Sequence, residues 1–491
     1  MLTINKRREN IVIGAVAIPF LLLIGFYPIL TAGIIIAILG LCVTFYFFVE
    51  SNYKMIYFLF VVSIIQNTVV IYLMGNLGIS QAYELQYYKE LFLLGLLGYL
   101  LLFKNRLFHN LTRIDFVSIL FIFYVLTISV WLGDANNFTK IASLRQVMLP
   151  FIFYFLGKHI VLSRSNLKKL LTKLHVFGVI IVLFGIFESY LYPEFWQDIG
   201  IYNFFLEKRG QEALTMVNGL PSNFYTSDFV KYTGQMLRRT ASFVSNPPVL
   251  AHIIGFLAVF SLFNRKYIGK SWFSILFLSA GVFLTLGKGG IITLAIGFGF
   301  YLLFVLKRPF LSYILGCLGV LGAAAYINKV IKQGLSAVDH IFGFTNSFKE
   351  GLEHPFGSGL GTVGNLAEVY NGNATVSEGA GAESFLGLVV GQFGVIGFAL
   401  FSLFFILIFN RLMKFLKLVS DDKFLYSVSV SLLAVMVAIF STAFLTESAI
   451  SYTSAGIPIL LSSILINNYK ILLDSNENEE EQVKKGKLRV S

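Results

Sequence analysis

Residues 383–409 read ESFLGLVVGQFGVIGFALFSLFFILIF, an apolar run interrupted by only a few polar side chains. A helix of about 20 apolar residues is long enough to cross the hydrocarbon core of a bilayer. Lipid offers the backbone no hydrogen-bond partner, so a segment that crosses it alone folds as a helix, whose N–H and C=O groups pair internally. The run therefore predicts a membrane-spanning helix.

Similar runs recur from one end of the chain to the other. Of the 491 residues, 56% are hydrophobic and 13% are charged, and the mean hydropathy is +0.77. A soluble protein carries about 25% charged residues, so the composition favours an all-α, polytopic membrane protein. We predict about 14 spans, near residues 11–28, 30–49, 55–74, 90–103, 115–132, 147–162, 174–192, 247–263, 272–287, 290–306, 309–327, 383–409, 424–444 and 453–469.

The basic residues predict the orientation of these spans. Most of the 38 lysines and arginines fall in alternate short connections, and such connections face the cytoplasm. Both termini are therefore predicted to be cytoplasmic, and the net charge of +12 reflects topology rather than a nucleic-acid surface. The predicted organisation is an N-terminal bundle of about seven spans over 1–192, an outer loop over 193–246, spans 8–11 over 247–327, a second outer loop over 328–382, spans 12–14 over 383–469 and a cytoplasmic tail over 470–491.

The first outer loop ends with the basic pair Arg238-Arg239, close to the start of the next span. Outer cations run against the usual charge bias, and a planar guanidinium suits phosphate oxygens. Lys288 is a further outer cation, placed between glycines in a short turn where a ligand could approach the backbone. The three residues predict a site for a lipid phosphate or pyrophosphate. Contact with lipid headgroups, or a lysine that reaches along the bilayer surface, explains the same residues.

The second outer loop contains the block HPFGSGLG at 354–361, which begins with His354. A Gly/Asn/Ser-rich stretch follows at 371–382, and its composition suits a mobile flap over a site. Glu383 comes next, at the outer start of a predicted span. Partial desolvation there would suit a general base. A carboxylate at this place also stabilises the N-terminus of a helix, so both interpretations stay open.

Four short blocks, taken in chain order, resemble the O-antigen ligase / Wzy-type polysaccharide polymerase superfamily. They are RTASF at 239–243 with NP at 246–247, GKGG at 287–290, HPFGSGLG at 354–361, and ESFL at 383–386 with GQFGVIG at 391–397. The resemblance covers residues of about 235–410. Three positions depart from the family pattern. Lys288 stands in place of an arginine, and Pro248 stands in place of the second asparagine of Asn-Pro-Asn. Glu383 stands in place of the ligases' histidine, which favours the polymerase branch.

The resemblance implies a GT-C-like fold and an inverting, metal-independent glycosyltransferase of the bacterial cytoplasmic membrane that needs no cofactor. The implied donor is a glycan on undecaprenyl pyrophosphate, and the implied acceptor is a hydroxyl of a second lipid-linked repeat unit. Membrane lipid, a flippase and a chain-length regulator are the further implied partners, and nucleic acid is not one. In the implied site, Glu383 takes the acceptor's proton, while Arg238, Arg239, Lys288 and His354 bind pyrophosphate or substrate.

Three other functions remain open at this point. An O-antigen-type ligase would transfer finished polymer to another acceptor. A flippase for lipid-linked oligosaccharides would carry charged residues deep in its spans and would have short loops. A structural subunit of a membrane assembly would tolerate the loss of both Arg239 and Glu383.

Overall fold

The structure is a computed structural model, and it describes residues 52–79, 82, 85, 88–104, 111–133, 135–209, 215–228, 230–333, 337–364, 367, 384–469 and 472. The first two predicted spans and nearly all of the predicted tail lie outside the described residues. Every other predicted span coincides with a helix. The described chain is helical apart from two ladders of two short strands, which confirms the all-α part of the predicted fold class.

Long helices make up the described chain before the first predicted outer loop. They are α1 (Asn52–Gly75), α2 (Tyr88–Lys104), α3 (Arg113–Trp131), α4 (Asn137–His159) and α5 (Arg164–Ile186), which continues as a π-helical turn over Phe187–Leu191.

The first predicted outer loop has structure of its own. It contains the helices α6 (Phe195–Asp198), α7 (Ile201–Arg209) and α8 (Val230–Thr233), and the strands β1 (Met216–Val217), β2 (Leu220–Pro221), β3 (Tyr225–Thr226) and β4 (Leu237–Arg238). The strands pair antiparallel, β1 with β2 and β3 with β4.

The second half of the chain returns to long helices. They are α9 (Pro247–Ile268), α10 (Trp272–Leu284), α11 (Lys288–Phe300, with a π-helical turn over Tyr301–Val305), α12 (Pro309–Gln333), α13 (Ala337–Glu353), α14 (Phe385–Leu418), α15 (Lys423–Thr442) and α16 (Gly456–Asn467).

Seven helices in the described residues are long and apolar enough to cross a membrane. Three further apolar helices are shorter. The chain is therefore a membrane protein by length and composition, as predicted. The seven candidate spans are Tyr53–Gly75, Arg113–Trp131, Arg164–Leu191, Pro247–Ile268, Lys288–Val305, Phe385–Leu418 and Lys423–Thr442.

Polar side chains set the first turns of several helices. The side chain of Asn136 accepts a hydrogen bond from the backbone N–H of Thr139 at the start of α4, and Ser163 does the same for α5. Asn246 caps α9, and Pro247 follows it in the first turn, where no N–H is needed. The cap at Asn246 fixes where the first outer loop joins the bundle.

The centre of the bundle is formed by α9 and α15. In these helices 83% and 78% of the most apolar window is buried, compared with 22% in α11. Aromatic side chains fill much of the space between the other helices, and the ring of Phe121 stacks on that of Phe151 at 4.7 Å. Lipid is as apolar as these side chains, so close packing rather than the hydrophobic effect holds such helices together.

Two ion pairs join helix termini at one end of the bundle. There, Lys158 of α4 forms a buried ion pair with Asp115 of α3, with 2.7 Å between Nζ and Oδ2. Arg164 of α5 pairs with Asp422 at the start of α15 at the same end. These cations belong to the set that the charge bias assigns to the cytoplasm. The opposite end therefore carries the two predicted outer loops.

Helix bounds differ from the prediction in two places. α4 begins at Asn137, ten residues before the predicted span at 147–162, so Arg145 lies within a helix. The predicted second loop over 328–382 contains the end of α12 and all of α13, whose apolar face packs on α14. The apolar residues of α13 recur on one face of the helix, but the segment as a whole is too polar to be predicted as a span.

The quoted run at 383–409 is not one continuous helix. Gly394 has φ 64° and ψ −171°, which breaks α14 after two turns. A break inside a bundle is tolerated when other groups pair with the freed carbonyls. Here the Gly-rich block supplies donors: the backbone N–H of Ser358 donates to Gly391 O at 2.9 Å, and that of Gly359 donates to Gln392 O at 3.0 Å.

Candidate functional site

Glu188 organises the end of the first predicted outer loop, at residues 238–242. Its carboxylate is fully buried at the end of α5. Oε1 accepts hydrogen bonds from the backbone N–H groups of Ala241 (2.8 Å) and Ser242 (3.0 Å), and Oε2 accepts one from the indole N–H of Trp196 (3.0 Å). A buried carboxylate is stable only when it is paired in this way. Glu188 thus holds the backbone at the end of the Arg238–Ser242 segment through Ala241 and Ser242.

Arg238 supplies the cation for this buried carboxylate. Its Nη2 lies 3.1 Å from Glu188 Oε2 and donates to Glu188 O at 2.9 Å, while Nη1 donates to Pro193 O at 2.8 Å. Arg238 was predicted to bind pyrophosphate, but both of its terminal nitrogens donate hydrogen bonds to other residues of the chain. These contacts make Arg238 a residue that positions the loop.

Arg239 has different surroundings. Its backbone N–H donates to Phe224 O at 2.8 Å, and its Nε donates to Thr285 O at 3.0 Å in the turn between α10 and α11. The two terminal nitrogens make no hydrogen bond within the part of the chain that the structure describes. Burial lowers the pKa of Arg239 to about 10, against the opposing charge of Asp228, so the group stays protonated at neutral pH.

Lys288 is the first residue of α11, three residues after the carbonyl that holds Arg239. Its Nζ lies 3.1 Å from Asp228 Oδ2, and 39% of its side chain is exposed. Gly287 at the N-cap offers no side chain to the first N–H groups of α11. A helix N-terminus with such N–H groups and an adjacent cation favours an anionic ligand.

Gly289 and Gly290, which follow Lys288, pack closely against α9. A Cβ on Gly289 would lie 2.3 Å from the ring of His252, and one on Gly290 would lie 2.5 Å from Ala251 O. Both neighbours belong to α9. On the side of α11 that faces α9, these glycines therefore do not leave room for a ligand, contrary to the expectation. Their small size allows α9 to pack close to the backbone of α11.

Asp228 was missed in the sequence. The pairing of β3 with β4 sets Tyr225 opposite Arg238, which brings the residues after β3 close to Arg239. From there the carboxylate of Asp228 forms an ion pair with Lys288, and its negative charge raises the pKa of Arg239. A single aspartate in a polar loop gives no local signal, so only the strand pairing identifies it.

No described contact joins the other two predicted site residues, His354 and Glu383, to this cluster. His354 is exposed at the end of α13, and its backbone N–H donates to Glu350 O at 2.8 Å. Glu383 lies outside the described residues. The next residue, Ser384, is buried and caps α14, with its Oγ accepting from the N–H of Gly387 at 3.0 Å. The predicted meeting of Glu383 with the cations stays a prediction.

The described cluster thus consists of Arg239, Lys288 and Asp228 at the N-terminus of α11, with the ring of His252 packed below. Two cations and one carboxylate leave an excess of positive charge. Together with unpaired guanidinium nitrogens, this arrangement can bind an oxyanion. Among the described residues, no group of three or more His, Cys, Asp or Glu side chains is arranged to hold a metal ion.

Comparison with known proteins does not assign the chain to a family. No protein-family model matches the chain, and no curated protein matches it.

Proposed function

We propose that the protein is a membrane glycosyltransferase that polymerises polysaccharide repeat units carried on undecaprenyl pyrophosphate, on the outer face of the bacterial cytoplasmic membrane. The observation that supports this most is the oxyanion site at the start of α11. There, the two terminal nitrogens of Arg239 make no hydrogen bond to the described residues, and Arg239 and Lys288 share Asp228 as a neighbour. The site lies at the end of the bundle opposite the Lys158–Asp115 and Arg164–Asp422 pairs. The GT-C-like fold and about 14 spans belong to the same proposal.

The reaction needs an anion site more than any other group. The acceptor hydroxyl attacks the anomeric carbon, a new C–O bond forms, and the bond to the pyrophosphate oxygen breaks. The electron pair leaves with the lipid pyrophosphate, and the hydroxyl proton goes to a base. Arg239, Lys288 and the N-terminus of α11 would stabilise the negative charge that develops on the leaving group. Glu383 is the proposed base.

The proposed polymerase is tested by the length of the surface polysaccharide. Arg239→Ala is expected to reduce polymerisation at least tenfold, because it removes the donors closest to the leaving group. Glu383→Gln is expected to leave single repeat units exported but not joined. The readout is a gel of surface polysaccharide, with the protein level measured by immunoblot.

Two matched variants control this experiment. Lys349→Ala removes an exposed cation of α13, and Glu353→Gln neutralises an exposed carboxylate of the same helix. Both should give normal polymer. Normal polymer from Arg239→Ala at an unchanged protein level would refute the proposed site, and normal polymer from Glu383→Gln would refute the base.

A deletion strain distinguishes the alternatives. A band of single repeat units indicates a polymerase, whereas long polymer held on its carrier indicates a ligase. Absence of exported glycan would indicate a flippase. The observation that favours a flippase is that Arg145 lies inside α4, where it pairs with Glu90 of α2. Charged groups within helices are typical of transport pathways.

A further inference from the structure

An open groove runs between α3 and α14. Its volume is about 520 Å³, within the range of roughly 300–1,000 Å³ that is usual for small-molecule sites. Its walls include Arg113, Phe116 and Val117 of α3, and Leu403 and Leu407 of α14. Phe116 is 66% exposed and Leu403 is 39% exposed, so a ligand can enter the groove from outside the bundle.

α3 and α14 pack antiparallel beside this groove. Tyr124 Oη donates a hydrogen bond to Phe393 O at 2.8 Å. Earlier in α3, the ring of Phe121 lies 5.7 Å from that of Phe401, which comes later in α14. Lower residue numbers in α3 therefore lie beside higher residue numbers in α14, and the first turn of α3 lies beside the second half of α14.

Two arginines lie at this end of the groove, one on each helix. Arg113 precedes Phe121 by about 12 Å along α3, and Arg411 follows Phe401 by about 15 Å along α14. The two arginines are therefore at nearly the same depth in the bundle. Both belong to the basic helix ends that the charge bias assigns to the cytoplasm.

Arg411 shares a face of α14 with the apolar wall of the groove. Leu403, Leu407 and Arg411 follow one another at intervals of four residues, which places them on one side of the helix. Arg411 and Arg113 are both exposed, and neither guanidinium makes a hydrogen bond or an ion pair with the described residues. Both are therefore available to a ligand.

The nearby acids are paired with other cations. Asp115, the first acid of α3, is fully buried and pairs with Lys158. Asp422, just before α15, pairs with Arg164. Among the described residues, the groove thus combines apolar walls with positive charge at one end.

These two properties suit the two parts of a lipid. An acyl chain can lie along the apolar walls, since it passes from one apolar medium to another. Basic pockets between membrane helices on the cytoplasmic side are typical sites for anionic lipid headgroups, and guanidinium groups bind phosphate oxygens in pairs. A choline headgroup would bring a third cation beside the two arginines, so the site favours a lipid with net negative charge.

We propose that this groove binds one anionic phospholipid of the cytoplasmic leaflet. Its phosphate would lie between Arg113 and Arg411, and one acyl chain would lie along Phe116, Leu403 and Leu407. The proposal does not rest on the proposed function, because it uses no residue of the oxyanion site.

Native mass spectrometry of the purified full-length protein, released from detergent micelles, tests the proposal. The probes are phosphatidylglycerol and phosphatidylcholine with the same acyl chains, and the affinity is read from the fraction of protein that carries one lipid. The wild type should prefer phosphatidylglycerol. Replacing both arginines, Arg113→Ala with Arg411→Ala, should weaken its binding at least about tenfold, because two cations near the phosphate are lost. Arg308→Ala is the matched control, since Arg308 is also an exposed cation without an ion pair among the described residues but lies before α12.

A second pair of variants tests the groove itself. Leu403→Trp fills part of the groove and keeps both arginines, so it should weaken the binding of phosphatidylglycerol as well. Phe123→Trp is its control, because Phe123 is a 68% exposed residue of α3 that does not line the groove. It should bind like the wild type.

The alternatives give different results. Equal losses in Arg308→Ala and in the double arginine variant would show general attraction to a basic surface and would overturn the site. Unchanged binding by the double arginine variant, or by Leu403→Trp, would overturn it too. Preference of the wild type for undecaprenyl phosphate over phosphatidylglycerol would overturn the assignment to a phospholipid.

Discussion

Arg238 and Arg239 are neighbours in the chain, yet their guanidinium groups make different contacts. The terminal nitrogens of Arg238 are bonded to Glu188 and Pro193. Those of Arg239 are unpaired within the described chain, because only its Nε is used to hold the turn at Thr285. Of two adjacent cations, one therefore positions the loop and the other is free to bind a ligand.

Asp228 competes with any anion for the same cations. Asp228→Asn removes the competing carboxylate, so the affinity for inorganic pyrophosphate should rise. An exposed ion pair contributes about 1 kcal/mol, and the expected gain is therefore roughly fivefold. Isothermal titration calorimetry on the purified protein measures it. Glu207→Gln, which neutralises an exposed acid of the same outer loop, is the control and should change nothing. Weaker binding by Asp228→Asn would show that Asp228 organises the site instead.

The sequence could predict the type of residue at this site but not its partners. Cations in a predicted outer loop stand out against the charge bias, which is why the sequence names Arg239 and Lys288 as candidates. The difference between Arg238 and Arg239 depends on Glu188, 50 residues earlier than Arg238, and the role of Asp228 depends on a strand pairing two residues long. Contacts over such distances leave no periodic pattern to detect.

Among the helices, α14 shows how a break can be stabilised by the rest of the fold. The carbonyl of Phe393, next to the break, accepts a hydrogen bond from Tyr124 Oη at 2.8 Å. The carbonyls of Gly391 and Gln392 are paired with the Gly-rich block. The block at 354–361, which resembles a family signature, thus has a structural role in this chain, because it replaces the hydrogen bonds that α14 loses.

Gly394→Ala should destabilise the protein strongly. The backbone of Gly394 has φ 64°, and an added Cβ would lie 1.9 Å from Pro355 O. Left-handed strain and overpacking together suggest a loss of roughly 2–4 kcal/mol. Thermal unfolding of the purified protein in detergent measures the change. Gly319→Ala in α12 is the control, since nothing lies within 4 Å of its added Cβ. Equal melting temperatures for the two variants would mean that α14 can straighten.

Sequence patterns predicted helix existence better than helix bounds. Length and apolar content identified each described span because lipid imposes a simple rule on the backbone. The rule does not detect the early start of α4, whose first turns are polar, or the break at Gly394, which leaves the composition apolar. Both features depend on pairing with other elements.

On the scale of the whole molecule, the two ends of the bundle carry different arrangements of charged groups. Buried ion pairs at one end join helix termini to each other, as between Lys158 and Asp115. The opposite end carries the oxyanion site, where the two cations Arg239 and Lys288 outnumber the carboxylate of Asp228. The proposed reaction joins lipid-linked glycans on the outer face of the membrane. It therefore requires that the end of the bundle with the oxyanion site faces away from the cytoplasm.

Cysteine labelling tests that orientation directly. In a background with Cys42→Ala and Cys317→Ala, single cysteines at the exposed positions Gln235 and Lys349 mark the site end, and one at Asp421 marks the other end. A membrane-impermeant maleimide added to intact cells should label Gln235→Cys and Lys349→Cys, because both follow the predicted outer ends of spans. Asp421→Cys should react only after the cells are opened, which also shows that its thiol is accessible. Labelling of Asp421→Cys alone in intact cells would place the cations of the site in the cytoplasm, and an outer-face polymerase could not then use them.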